Sequence, residues 1–191
     1  DRRRLTIKYI VGPHNHTSSE LAAYVARLAG SPLLDSLFQV SCDFTLDAPE
    51  DDLICALYEL ALRLLAQGAR FVFFDDLIRD RVHMTPARAE RVRQHLVTHG
   101  IDTQHLWTPE TATPLVLWGA GKQAQWLTQH TLSGQSGCIR ATVPDEAGYR
   151  QWEAQLGPVG ILPAGVQSLY EILRNIEQAG LGARLTRGVL L

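Results

Sequence analysis

Residues 115–131 read "LVLWGAGKQAQWLTQHT". Four apolar residues of strand length run directly into Gly119-Ala120-Gly121, and the polar-apolar spacing that follows is that of a helix. Gly119 to Ala124 therefore fits G-x-G-x-x-A between a strand and a helix, the context in which that pattern has a physical meaning. Gly119 permits a tight turn, Gly121 lets backbone approach a phosphate with no Cβ in the way, and the small Ala124 lets helix lie close to strand. The free N–H groups at the head of such a helix attract an anion. The same glycines are also what a strand-to-helix corner needs for packing alone, and both readings stand at this stage.

Working outward, strand-length apolar runs alternate with segments of helical period along the whole chain. "LTIKYIV" (5–11), "SLFQVSCDFTL" (36–46), "RFVFF" (70–74), 115–118, 138–143 and 158–162 are the expected strands, and "RLTRGVLL" (184–191) is an expected edge strand. Helices are expected over 20–30, 50–68, 85–100, 122–132, 145–156 and 165–179. Acids open the helix at 50, an apolar stripe runs through Leu53, Leu57, Leu60 and Leu64, and Gly68 closes it. Thr85 as N-cap with Pro86 after it opens the next. Gly30 and Gly100 are expected to stop their helices as C-terminal glycines. This alternation predicts an α/β protein, a three-layer Rossmann-like domain with a mainly parallel sheet and helices on both faces. Residues 101–114, rich in threonine and proline, place a seam between two sequential halves, 1–112 and 113–191, of a single domain over 1–191.

Apolar residues make up 46% and charged residues 20% of 191 residues, enough to bury a core without a staple. The net charge of -2 gives no overall field for nucleic acid or an anionic membrane. No apolar stretch approaches the ~20 residues a membrane helix needs. Cys42, Cys55 and Cys138 are far apart and odd in number, with no metal-ligand spacing, which suits a reducing compartment and a cytoplasmic location. The start at Asp1 is expected of an excerpt from a longer protein, so further domains of a longer chain, or a second copy in a homodimer, are the expected partners.

In a dinucleotide fold, a residue ~20 positions after the first glycine, near the end of the next strand, contacts the ribose or its phosphate. Arg140, 21 residues after Gly119, suits a 2′-phosphate, whereas Asp145, 26 after it, is placed to cap the next helix. Trp118 is expected in the core or an interface, with a place beside a base as the alternative.

"LVLWGAGKQAQWLTQH" together with "GPVGILPAGVQSLYEILRNIEQAGLGAR" resembles the small Rossmann-like domain of bacterial sugar-modifying and polysaccharide-biosynthesis proteins. The resemblance covers roughly 114–187 and rests on the Gly-Ala-Gly corner, a later apolar strand ending in a small-residue turn, and a helix running to Ala-Gly before a basic strand. It implies that Gly119, Gly121 and Lys122 face a nucleotide or nucleotide-sugar, with NAD(P) or a nucleotide-sugar as the cofactor and a transferase or oxidoreductase as the larger enzyme. The chain departs from the pattern at "IRATVPDE", which supplies no acidic residue at the strand end, and fold-level likeness does not fix activity.

A second constellation is "GPHNHTSSE" (12–20), between the first strand and first helix, where ligands of open α/β sheets meet backbone. Thr17 to Glu20 fits a capping box, which accounts for both residues structurally; Thr17 and Ser18 are also candidate phosphate contacts. His14 and His16 resemble the His-x-His-Thr opening of the polymerase-and-histidinol-phosphatase metal hydrolases. That resemblance implies metal ligation by His14 and His16, with Asp75 at the end of "RFVFF" as a carboxylate partner or base. The Thr-Asp-His motif of that family is absent. Three functions therefore stand open: a nucleotide-type binding module, a metal-assisted hydrolase on His14, His16 and Asp75, and a non-catalytic interaction domain.

Overall fold

A computed structural model describes residues 5–12, 14–31, 37–44, 50–69, 72–74, 84–111, 113–119, 138–163 and 169–191. Among the described residues it is an α/β protein of five helices with parallel strands in two sheets, and its elements group into two compact units, Asp1–Leu106 with Arg187–Val189 and Trp107–Thr186 with Leu190–Leu191.

The first unit holds β1 (Leu5–Val11), α1 (Ser18–Ala29), β2 (Leu37–Phe44), α2 (Glu50–Ala66), β3 (Val72–Phe74) and α3 (Pro86–Thr98). The strands form a parallel sheet in the order β1-β2-β3. Helix α2 packs on all three strands and also on α1 and α3. Its sequence explains this: from Leu53 to Leu62 every residue is buried, and a helix apolar all round must be enclosed on all sides. Its first turn is tied down by Asp51, which accepts from Arg88 Nε (2.9 Å) and Arg91 Nη1 (2.6 Å) on α3. At its other end Arg187 Nη2 donates to the carbonyls of Leu65 (2.8 Å), which also accepts from Gly68 N (3.1 Å), and Ala69 (2.9 Å), near the helix end where intrahelical donors run out.

Helix starts follow their local chemistry. Thr17 caps α1 in a complete capping box with Glu20, and Thr85 caps α3 with Pro86 in the first turn. Helix ends differ from expectation in one place. Gly100 has the left-handed φ of 62° expected after a helix, but Gly30 has φ of -77°, so its N–H closes α1 onto Ala26 O without the conformation that favours glycine.

The second unit holds β5 (Leu115–Trp118), β6 (Ile139–Val143), α4 (Glu146–Leu156), β7 (Gly160–Pro163), α5 (Leu169–Gln178) and a short 3-10 turn at Gly182–Arg184. Its parallel sheet has the order β6-β5-β7, with β5 in the centre. Successive residues of a strand face opposite ways. Val116 and Trp118 accordingly enter one core with Val143, Tyr149, Ile161, Ile172 and Ile176, while Leu115 and Leu117 enter another with Cys138 and Leu190. A strand buried on both faces is the mark of the middle of a parallel sheet. The expected edge strand in the tail is shorter than the sequence implied. Leu185 makes an isolated bridge to Ile161, and Val189–Leu190 (β8) pairs instead with Leu106–Trp107 (β4), a two-residue strand inside the irregular stretch 101–114.

At Gly160 a Cβ would lie 2.6 Å from both Leu115 Cδ2 and Thr186 Oγ1. Leu115 is fully buried and has little room to yield. Gly160→Ala is expected to cost about 1–3 kcal/mol of stability by overpacking. Urea denaturation of the variant measures it, and a midpoint equal to wild type would mean that β7 is not held this close.

Candidate functional site

Strand β5 ends in Gly119, which is buried and whose N–H donates to Val143 O (2.9 Å) on β6. The chain passes from central β5 to β6 on one side, then through α4 to β7 on the other. This reversal makes the carboxyl edge of β5 and β7, where Trp118 registers with Pro163, a topological switch point. Gly121 and Lys122 lie outside the described residues, as do the expected helix 122–132 and Asp75. Trp118 is 2% exposed and sits against Tyr149 with ring centroids 6.1 Å apart, so it is a core residue. Tyr149 in turn donates its hydroxyl to Val159 O at 2.9 Å, and burial pushes its pKa up.

Arg140 is exposed on the first half of β6, where the register places it beside Leu115 and Val116. That is the amino edge of the sheet, roughly 10 Å along the strands from Gly119 at ~3.3 Å per residue. Arg140 and Gly119 therefore do not share an end. Asp145 caps α4, accepting from Gly148 N at 2.9 Å.

In the first unit, Thr17 and Ser18 both have partners within the protein. Thr17 Oγ1 accepts from Glu20 N, and the Thr17 hydroxyl and backbone N–H both donate to Glu20 Oε2, which lowers the Glu20 pKa. Ser18 Oγ donates to Glu59 Oε1 at 2.5 Å. His14 is exposed, and His16 places Nδ1 3.1 Å from Gly12 O. Neither belongs to a group of metal-ligating side chains among the described residues.

What the structure does assemble is a polar cluster around Glu59. Among the described residues Glu59 is the only charged side chain in the core, with 0% exposure. A carboxylate so placed loses several kcal/mol of hydration, which must be offset by donors. Three converge from three helices: Ser18 at the head of α1, Arg63 one turn along α2 (Nε to Oε1, 2.8 Å), and His95 in the last turn of α3 (Nε2 to Oε2, 2.7 Å). Burial raises the carboxyl pKa, but the bonds from His95, Ser18 and Arg63 and the Arg63 charge outweigh it and bring it to about 2. His99 follows one turn after His95, its ring centroid 4.2 Å away and its Nδ1 2.9 Å from His95 O. The order of contact is Ser18, Glu59, His95, with the carboxylate in the middle. Activation of a serine nucleophile needs the imidazole in the middle, so this is not a nucleophilic triad.

Glu59, Arg63, His95 and His99 did not emerge from sequence reasoning, yet two signals were there. Glu59 is a lone charge in "LICALYELAL", with Arg63 four residues on, and His95 and His99 share a helix face at the same spacing. Beside Arg63 an open groove of about 520 Å³ is lined by small residues of α1, Ala22, Ala26 and Ala29, by Ala66 at the end of α2 and by Gln67 just after it. Cys55 lies in the same helix, its thiol pushed to about 11 by burial and by Asp52 and Asp51, and is no nucleophile at neutral pH.

No family model, curated protein or solved structure matches the chain. Among the described residues no helix is long and apolar enough to cross a membrane.

Proposed function

We propose that this is a cytoplasmic, three-layer Rossmann-like module that binds a nucleotide or nucleotide-sugar at the carboxyl edge of β5 and β7, within a larger sugar-modifying or biosynthetic enzyme. The observation that carries the reading is the strand order β6-β5-β7 with Gly119 ending the central strand. Where the chain reverses direction across a parallel sheet, neighbouring crossovers diverge and leave a crevice for a ligand. Burial of β5 on both faces fits helices on each side of that sheet. The motif Gly119 to Ala124 supplies, by resemblance, the backbone approach for a phosphate and the cation of Lys122 beside it. Arg140 is left out of the proposed contacts because of its place at the other edge.

The test is calorimetric titration with NADH, NADPH, nucleoside diphosphates and nucleotide-sugars, repeated on Gly121→Val and Lys122→Ala. At least one ligand is expected to bind at micromolar concentration. Gly121→Val should weaken it tenfold or more by inserting a side chain where phosphate meets backbone. Failure of every ligand at millimolar concentration, or binding that is indifferent to Gly121→Val, defeats the reading.

A further inference from the structure

We propose that Glu59, His95 and His99 bind one divalent transition-metal ion of the zinc or cobalt type, clamping α2 to α3. This set is independent of the β5 edge and of His14 and His16.

Each of the three residues offers a ligand atom, and these atoms all lie within 4.8 Å of one another. Two imidazoles and a carboxylate are a donor set that zinc, cobalt, nickel and ferrous iron accept. The carboxylate is already divided for the purpose: Oε1 is held by Ser18 and Arg63, while Oε2 faces His95. The first pair orients the ligand as outer partners of a metal-bound carboxylate do, and leaves Oε2 for the ion. Because a carboxylate only accepts, His95 Nε2 carries the proton in the hydrogen bond. The ion takes the place of that proton: a neutral ring passes to its Nδ1–H tautomer, and a protonated ring releases the Nε2 proton to solvent and keeps the one on Nδ1, so that His95 binds as a neutral imidazole either way.

The geometry of His99 gives a second, separate indication. Its Nδ1 lies 2.9 Å from the carbonyl of His95, and a carbonyl only accepts, so the Nδ1 position bears a proton. In the neutral ring the lone pair is then on Nε2, with the tautomer fixed by a backbone acceptor as is usual for metal-bound histidine. Donors around a tetrahedral ion stand about 3.4 Å apart, so His99 must close in from within 4.8 Å while the 2.7 Å pair of His95 Nε2 and Glu59 Oε2 opens by about 0.7 Å to admit the ion. Glu59 is fully enclosed and His95 largely so, whereas His99 is an exposed C-cap whose ring is able to swing inward. The ion also sits at the carboxyl end of α3, where the helix dipole favours positive charge. The Arg63 guanidinium on Oε1 works against it, which places the expected affinity at micromolar rather than nanomolar concentration.

The test uses the whole chain, stripped with chelator and titrated with Zn²⁺ by calorimetry and with Co²⁺ by visible absorption. One equivalent is expected to bind, with the intense absorption of low-coordinate Co²⁺ and a higher Tm with Zn²⁺. His99→Ala, an exposed position that the fold does not need, should weaken binding by at least about tenfold and abolish the Tm rise. Glu59→Gln should remove binding where the variant folds. A His14→Ala, His16→Ala pair should bind as wild type does. Absence of binding at about 0.1 mM Zn²⁺ (~100-fold above micromolar affinity), unchanged binding in His99→Ala, or loss in the His14, His16 pair would overturn the proposal.

Discussion

Glu59→Ala is expected to lower stability by about 3 kcal/mol in urea denaturation of the metal-free chain at neutral pH. The removed carboxylate is fully enclosed and accepts from Ser18, Arg63 and His95. Without it those donors converge on a cavity, and the Arg63 charge loses the partner that justified its position against α2. Glu59→Gln should lose less, since an amide oxygen still accepts from Ser18 and Arg63 while its NH₂ donates to His95 Nε2 once that ring takes its Nδ1–H tautomer. The pH dependence has a definite sign. The folded pKa of about 2 lies below the ordinary 4.5, so the carboxylate's contribution is fully present above about pH 4.5 and is lost as pH falls toward 2. Wild type should therefore lose stability over that window more steeply than Glu59→Gln. Parallel acid limbs for the two proteins would show that Glu59 is not held by these bonds.

Trp118→Ala is expected to cost about 4 kcal/mol, the usual loss for truncating an enclosed aromatic. Trp118 is 2% exposed in a core with Tyr149, Ile161 and Ile176, directly before the Gly119 corner. Trp118→Phe should retain most of the stability and, because the ring faces the core, leave the affinity for any nucleotide found by titration within about twofold. Thermal denaturation and calorimetry together separate the cases. A stable Trp118→Ala protein with impaired ligand binding would move this ring from the core to the ligand.

The parts of the fold that were legible in the sequence are those fixed by neighbours a few residues apart. The capping box at Thr17 and Glu20, the Thr85-Pro86 start of α3 and the Asp145 cap of α4 each follow from bonds spanning three residues. Strand β5 was readable because four consecutive apolar residues have no solvent-facing partner in an alternation. The Glu59 cluster was not, because its bonds to Ser18 and His95 span 41 and 36 residues and depend on which helices flank α2. Arg140 shows the same limit: counting residues from Gly119 gives a distance along the chain, whereas the sheet register decides which edge a side chain occupies. Gly30 looked like a left-handed stop, but the hydrogen bonds of its N–H were satisfied without that conformation.

The grip of Arg187 on the carbonyls of Leu65 and Ala69 has a consequence for biosynthesis. These partners are separated by 122 and 118 residues, so during translation the end of α2 waits for more than a hundred further codons before the Arg187 clamp is available. At about 5–20 residues per second that interval is roughly 6–25 s. Both units thus complete only when the tail has been made, the first with Arg187–Val189 and the second with Leu190–Leu191.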